Sequence, residues 1–317
     1  AGNLDSMVSH YTADKKKRRR DVYSPGGRAG MRPDRATIVY TNRLRETFPG
    51  IPVIIGGVEA SMRRLAHYDY WSDQVRRSIL LDSKADLLIY GMGERALTET
   101  ARSLETGQSI QDLRSLAGVC YVASQPPEDA VILPSYEEVT ASPVKFSQMT
   151  RMVAQNSNPY LAPPLAQQQN DRWVVVNPPA LPLSQDDMDE IYGLPFQRQS
   201  HPIYDSRGGI PALDPVQFSI LTHRGCFGGC HFCSIGLHQG KFIQSRSQES
   251  VLSEARSFLT HPDFKGSIPD VGGPSANMYG LSGKDLGKCE RCKRISCLFP
   301  GICPKMDTDH SPSVNLW

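Results

Sequence analysis

Residues 225–233 read GCFGGCHFC, three cysteines within eight positions, and this stretch restricts the fold more than any other. Gly225, Gly228 and Gly229 let the backbone curl, so that three thiols can face one way. Upstream, VQFSILTHRG contains a short β-prone run. Downstream, SRSQESVLSEARSFL at 245–259 has helical periodicity, with Ser245 and Gln248 placed as a capping box. The unit is therefore strand, loop, helix, and a loop at that junction lies at the carboxyl end of a strand, the catalytic face of β/α barrels.

The eight cysteines fall into Cys120 alone, Cys226, Cys230 and Cys233 together, and Cys289, Cys292, Cys297 and Cys303 together. No apolar run reaches the roughly eighteen residues of a spanning helix, and the first thirty residues lack a signal-peptide core. These features predict a cytoplasmic chain with no membrane partner, in which clustered cysteines ligate metal rather than form disulfides. With 39% hydrophobic residues and a formal charge of only +2, no global field argues for nucleic acid or a membrane surface. A start at Ala1 and a stop at Trp317 soon after a cysteine cluster lead us to expect a fragment of a longer protein.

Cysteines at this density suit zinc or an iron–sulfur cluster. Structural zinc needs a fourth ligand, for which His223, His231 and His238 are the nearby candidates. Three thiolates on a four-iron cluster instead leave one iron open. That iron can chelate the amino and carboxylate groups of S-adenosylmethionine (SAM), so that an electron enters the sulfonium and a carbon radical is released.

The pattern CxxxCxFC at 226–233 resembles the signature of the radical SAM superfamily. The resemblance implies a [4Fe-4S] cluster on Cys226, Cys230 and Cys233, with Phe232 near the adenine of SAM. It also implies a glycine pair meeting the methionine moiety, and Gly272 and Gly273 in IPDVGGP are placed for it, although the family usually reads GGE where this chain has Gly272-Gly273-Pro274. Five longer stretches, GNLDSMVSHYTADKK, PDRATIVYTNRLRE, IIGGVEASMRRLAHYDYWSDQVRRSILLDSKADLLIYGMGERA, THRGCFGGCHFCSIGLHQGKFIQSRSQES and DVGGPSANMYG, resemble the YgiQ family of radical SAM proteins. That resemblance implies an N-terminal doubly wound α/β domain like the cobalamin-binding domains of other radical SAM enzymes, followed by a radical SAM β/α barrel, here partial. It implies an electron donor such as flavodoxin or ferredoxin and leaves substrate and reaction open. Cobalamin is also left open, since no DxHxxG run offers an axial histidine.

The rest of the chain fits an α/β reading. Helical patterns at 34–50, 72–84 and 93–105 alternate with buried strands at 51–57 and 85–91, the order that predicts a parallel doubly wound sheet. Ala96, Leu97, Ala101 and Leu104 form the expected inner face of the third helix. Glycine turns at Gly56-Gly57 and at 91–94 lie where such sheets place ligands, and they serve equally as tight turns. The predicted domains are 1–120, an irregular connector at 121–215 with one strand at 172–176, and a truncated radical SAM domain with a cysteine-rich insertion at 216–317. Arg63, Arg64, His67, Tyr68, Tyr70, Trp71, Arg76 and Arg77 either cup an anion or pack the domain.

Cys289, Cys292, Cys297 and Cys303 make a closed set for an auxiliary iron–sulfur cluster or for zinc, with Asp307, Asp309 and His310 after them capping a turn. The basic block KKKRRR at 15–20 is either a solvated segment or a contact to nucleic acid. Two rival readings stay open: a tRNA- or RNA-modifying radical SAM enzyme, and a non-catalytic zinc or iron–sulfur protein.

Overall fold

A computed structural model describes residues 6–274 and 278–316. The opening GNLD and the SAN of DVGGPSANMYG lie outside the described residues. The first predicted helix runs Ala36–Thr47, and Gly50 turns the chain beyond it at φ +86°. Strands β1 (Ile54–Ile55) and β4 (Leu87–Ile89) are the predicted parallel pair, with Ile54 opposite Leu87. Between them, the segment predicted as helix 72–84 folds otherwise. β2 (His67–Asp69) and β3 (Gln74–Arg76) form an antiparallel hairpin around Asp73, whose φ is +52°. Asp69 fixes the turn by accepting the Ser72 hydroxyl at 2.5 Å and Arg35 at 2.7 Å. Only Ile79–Ser83 is helical, capped by Ser78.

The sheet is six-stranded and mixed, which corrects the all-parallel expectation. β5 (Val119–Ala123) runs antiparallel to β4, and β8 (Arg172–Val176) antiparallel to β5. β7 (Leu165–Gln169) pairs with β8, and β6 (Val131–Ile132) lies parallel to β7 at the edge. The boundary expected near residue 120 is crossed by β5, and the supposed connector supplies three further strands. The cause is local. LAQQQNDRWVVV is a hairpin with a two-residue turn at Asn170, whose φ is +56°. Its glutamines are polar but alternate across the sheet: Gln167 and Gln169 are 0% and 1% exposed, and Gln168 points outward. The buried amides satisfy backbone groups elsewhere. Gln167 Oε1 accepts from Ala66 N at 2.9 Å and from Gln169 Nε2 at 2.8 Å, while Gln169 Oε1 accepts from Ser78 N at 2.8 Å.

Apolar side chains cover both faces of β4. Leu88 packs with Ile79, Leu80, Val139 and Met149 on one side, and Leu87 and Ile89 with Ala96, Leu113 and Val119 on the other. The helix Glu94–Glu105 lies on the second side, but its buried face is Ala96, Thr100 and Ser103, with Leu104 partly buried. Leu97 and Ala101, expected inside, are exposed. The i, i+4, i+7 stripe is set by small side chains that let the helix approach the sheet closely.

The C-terminal region centres on one βαβ unit. β9 (Ile220–Leu221) and β12 (Val271–Gly272) are parallel, joined through the helix Gln248–Phe258. Phe218, Ile220, Val251 and Phe258 form its core. The cap of that helix is Ser247, which accepts from Ser250 N at 3.0 Å, rather than the expected Ser245. β10 (His223–Arg224) and β11 (Gln244–Ser245) pair antiparallel across the base of the cysteine loop. Among the described residues no helix is long and apolar enough to cross a membrane.

Candidate functional site

The β10–β11 clamp makes residues 225–243 an excursion that leaves the sheet edge and returns to it. Gly225 turns the chain at φ +89°, where a Cβ would lie 2.1 Å from the Phe242 carbonyl oxygen, so no other residue fits. The loop is tied inward by Cys226 N to Gly240 O at 3.0 Å and by Gly225 N to Gln239 Oε1 at 2.9 Å. The Cys226 and Cys230 sulfurs flank Gly228, at 3.4 and 3.7 Å from the point where its Cβ would be. Cys233 follows within the same turn, its N donating to Cys230 O at 3.1 Å. Cys230 is exposed and the other two are partly buried. Phe232 stands 93% exposed.

Among the described residues no three His, Cys, Asp or Glu side chains are gathered as a single ion would need. A tetrahedral zinc with bonds of about 2.3 Å holds its sulfurs roughly 4 Å apart, whereas a four-iron cubane spreads its thiolates over separate corners. Three thiols on one glycine-shaped loop, with Cys230 and Phe232 exposed, are a donor set of the size and chemistry that a four-iron cluster takes when one of its irons is left open.

Gly272 and Gly273 lie at the end of β12, beside the strand that feeds the loop. Among the described residues Gly272 has nothing within 4 Å of its Cβ position, whereas at Gly273 a Cβ would fall 2.2 Å from the His223 ring. The structure thus brings the glycine pair to the strand that leads into the cysteines, and gives its two members different surroundings. His223 is 1% exposed, its Nδ1 is 2.9 Å from the Thr222 hydroxyl, and its Nε2 has no partner among the described residues. Burial pushes its pKa down from 6.5 to about 4, so the ring is neutral.

The second cysteine group docks on the first loop. Cys297 N donates to Phe227 O at 3.0 Å, and Ser296 Oγ to Gly228 O at 2.7 Å. Cys226 and Cys297 pack against one apolar cluster of Phe227, Met278 and Leu281. Asn158 Nδ2 donates to Glu290 O at 2.8 Å and Cys292 O at 2.9 Å, and Lys241 Nζ to Cys292 O at 3.0 Å. Burial raises the Cys297 thiol pKa, and the neighbouring Cys303, Cys292 and Cys289 add to the rise while Lys241 opposes it. The backbone links them in pairs, Cys303 N donating to Cys297 O at 2.7 Å and Cys292 N to Cys289 O at 3.1 Å, although among the described residues no three of these side chains are gathered for one ion. Asp309 caps a turn through Ser311, as expected of that segment.

Several residues joining the two regions carried no sequence signal. Arg224, next to the loop, pairs with Glu94 at 2.5 Å and donates through Nε to Tyr192 Oη at 3.0 Å. Arg246, 1% exposed, pairs with Glu254 and lies 4.6 Å from the Tyr192 ring centre. Of the eight-residue basic and aromatic group at 63–77, most members are committed internally: Arg63 to Glu59, Arg76 and Arg77 to Asp82, Tyr68 to Asp73, and Tyr70 to Ala13 O. Lys15–Arg20 are all exposed, with Lys15 placed over Tyr70 and Trp71.

The profile described as "Radical SAM N-terminal" matches residues 1–219, and the chain belongs to that family. A UPF0313 protein of Thermotoga neapolitana is 48% identical over 316 residues, covering 100% of this chain and 56% of its own length. One of Clostridium botulinum is 48% identical over 318 residues, covering 100% of this chain and 50% of its own. The chain thus spans about half the length of these curated relatives, and the YgiQ-family resemblance is borne out. Among solved structures, the radical S-adenosylmethionine methyltransferase TsrM of Kitasatospora setae, bound to tryptophan and a SAM analogue, superposes with a TM-score of 0.44 at 15% identity, over 92% of this chain and 37% of that one.

Proposed function

We propose that the chain carries the SAM-cleaving site of a radical SAM enzyme, with Cys226, Cys230 and Cys233 as ligands of a [4Fe-4S] cluster and with Phe232, Gly272 and Gly273 as the SAM-facing residues. The observation that carries this reading is the placement of three thiols on a clamped loop beside the parallel β9–β12 pair, with no described residue within 4 Å of the Gly272 Cβ position. When bound, the cluster supplies an electron to the SAM sulfonium. The chain's own residues do the positioning. The β10–β11 clamp fixes the loop, Gly228 leaves room between two sulfurs, Gly272 leaves room for a substrate backbone, and the exposed Phe232 ring offers a face for a nucleobase. Cys289, Cys292, Cys297 and Cys303 hold a second centre, zinc or iron–sulfur, that braces the loop from the side. A small electron-transfer protein such as flavodoxin or ferredoxin is the partner this chemistry requires.

The test is absorption and paramagnetic resonance spectroscopy on anaerobically reconstituted protein, with and without SAM. Four-iron signals that shift on adding SAM are expected, and these should vanish in Cys226→Ala, Cys230→Ala and Cys233→Ala but persist in Cys289→Ala. A SAM-responsive four-iron signal that survives loss of the first three thiols overturns the assignment. Metal analysis of the Cys226→Ala protein identifies the second centre.

A further inference from the structure

A cleft of about 60 Å³ opens where the carboxyl end of β4 meets the helix Ile235–His238, which directly follows Cys233. One water needs about 10–15 Å³ in this measure, so the space suits a small molecule rather than a large cofactor. Its walls are largely apolar, with Pro159, Pro179, Leu181 and Phe242 prominent. Most polar side chains that line it are already committed. Asn156 and Ser157 donate to the helix carbonyls Met152 O and Ala154 O, Asn177 to Arg114 O and Leu116 O, while Gln239 and Gln244 accept from Gly225 N and Leu183 N.

Two side chains break this pattern. Arg64 Nε and His238 Nδ1 are both buried and, among the described residues, both without a hydrogen-bond partner, and both residues line the cleft. Arg64 is held in place from behind, its guanidinium 4.6 Å from the Tyr90 ring centre and its Nη1 donating to Ser61 O. A buried guanidinium N–H left unpaired is expensive, and a ligand oxygen is what satisfies it.

We propose that this cleft binds a small organic carboxylate, its two oxygens taken by Arg64 Nε and His238 Nδ1 and its apolar body lying against Leu181 and Phe242. Two unsatisfied nitrogens leave one position for each oxygen of a carboxylate, and the apolar walls favour a carbon skeleton over a bare inorganic anion. The bound molecule sits against the helix that follows the cysteine loop. The assignment stands on the cleft alone and does not depend on the cluster.

The experiment is a titration of the whole 317-residue chain with butyrate, 1-butanol and inorganic phosphate, followed by calorimetry or ligand-observed NMR. Saturable butyrate binding with a dissociation constant on the order of millimolar is expected. Butanol and phosphate should each bind at least tenfold more weakly. Arg64→Gln should lower butyrate affinity at least tenfold. Leu181→Trp, a change at a 47% exposed wall residue that leaves the core alone, should block binding with an unaltered melting curve. The proposal is overturned if butyrate does not saturate at millimolar concentrations, if butanol or phosphate binds as well as butyrate, or if both variants bind butyrate like the parent. None of these measurements needs iron or SAM, so failure here leaves the cysteine-loop reading intact, and failure of that reading leaves this one.

Discussion

Adjacent glycines at 272 and 273 should respond oppositely to the same added methyl group. At Gly273 an alanine Cβ would lie 2.2 Å from Cε1 and Nε2 of His223 and 2.6 Å from Nδ1, far inside the 3.4 Å at which ordinary contact begins. The ring has little freedom to retreat, being 1% exposed and held at Nδ1 by Thr222. Overpacking of this kind costs about 1–3 kcal/mol, and for a domain of this size each kcal/mol lowers Tm by roughly 2–4 °C. Gly273→Ala is therefore expected to melt several degrees early. In a His223→Ala background the obstacle is gone, so the same substitution should cost less than about 0.5 kcal/mol, leaving a coupling energy close to the whole effect. Gly272→Ala meets nothing within 4 Å among the described residues and should alter stability by less than about 0.5 kcal/mol, while weakening SAM binding to the reconstituted protein. Urea melts of the parent, Gly273→Ala, His223→Ala and the double variant supply the cycle. A Gly273→Ala penalty that persists undiminished without the imidazole refutes the reasoning.

Gln167→Leu should destabilise the chain by about 1–3 kcal/mol, because it strips the acceptor from Ala66 N and the partner from Gln169; a urea midpoint equal to the parent's would contradict it. Burial, with Arg63 beside it, holds the His67 imidazole down from 6.5 to about 4. The unfolded chain then takes up its proton first, so this contribution to stability is complete above about pH 6.5 and is lost as pH falls through about 4. His67→Gln should flatten that part of the stability-versus-pH curve. Phe232→Ala should leave Tm unchanged, since the ring is 93% exposed, yet raise the SAM dissociation constant as measured by equilibrium dialysis; unchanged affinity argues against its role as a stacking surface.

The cysteine loop was legible because its information is local. Three glycines, three sulfurs and a β-prone lead-in are contiguous, and the structure keeps them between β10 and β11. The strands at Ile54–Ile55 and Leu87–Ile89 were legible for the same reason, as apolar runs bounded by turns. The sheet beyond them was not. Gln167 and Gln169 look like surface residues in any hydropathy pattern, and only their distant partners, Ala66 N and Ser78 N, make burial tolerable. The direction of β5 was equally hidden, since apolar periodicity specifies which residues are inside and not which way a neighbouring strand runs. His223 was visible only as a candidate fourth ligand two residues before a glycine turn, because the Gly273 contact that gives it meaning is long-range.

The Arg224–Glu94 pair shows what such long-range contacts do for the site. A buried ion pair often adds little net stability against apolar replacements, because desolvation offsets the attraction. Removing one partner is a different matter, since it strands the other. Arg224 is 8% exposed and sits one residue before the glycine at which the cysteine loop turns. Its charge is satisfied only when the loop lies over Glu94 at the start of the helix Glu94–Glu105, with Tyr192 closing the other side. A displacement of the loop by a few ångströms would leave both charges unpaired in a poorly solvated junction. The pair therefore acts on register more than on depth of folding: it ties the three thiols to the carboxyl-end face of the N-terminal sheet, the same face that opens into the Arg64–His238 cleft.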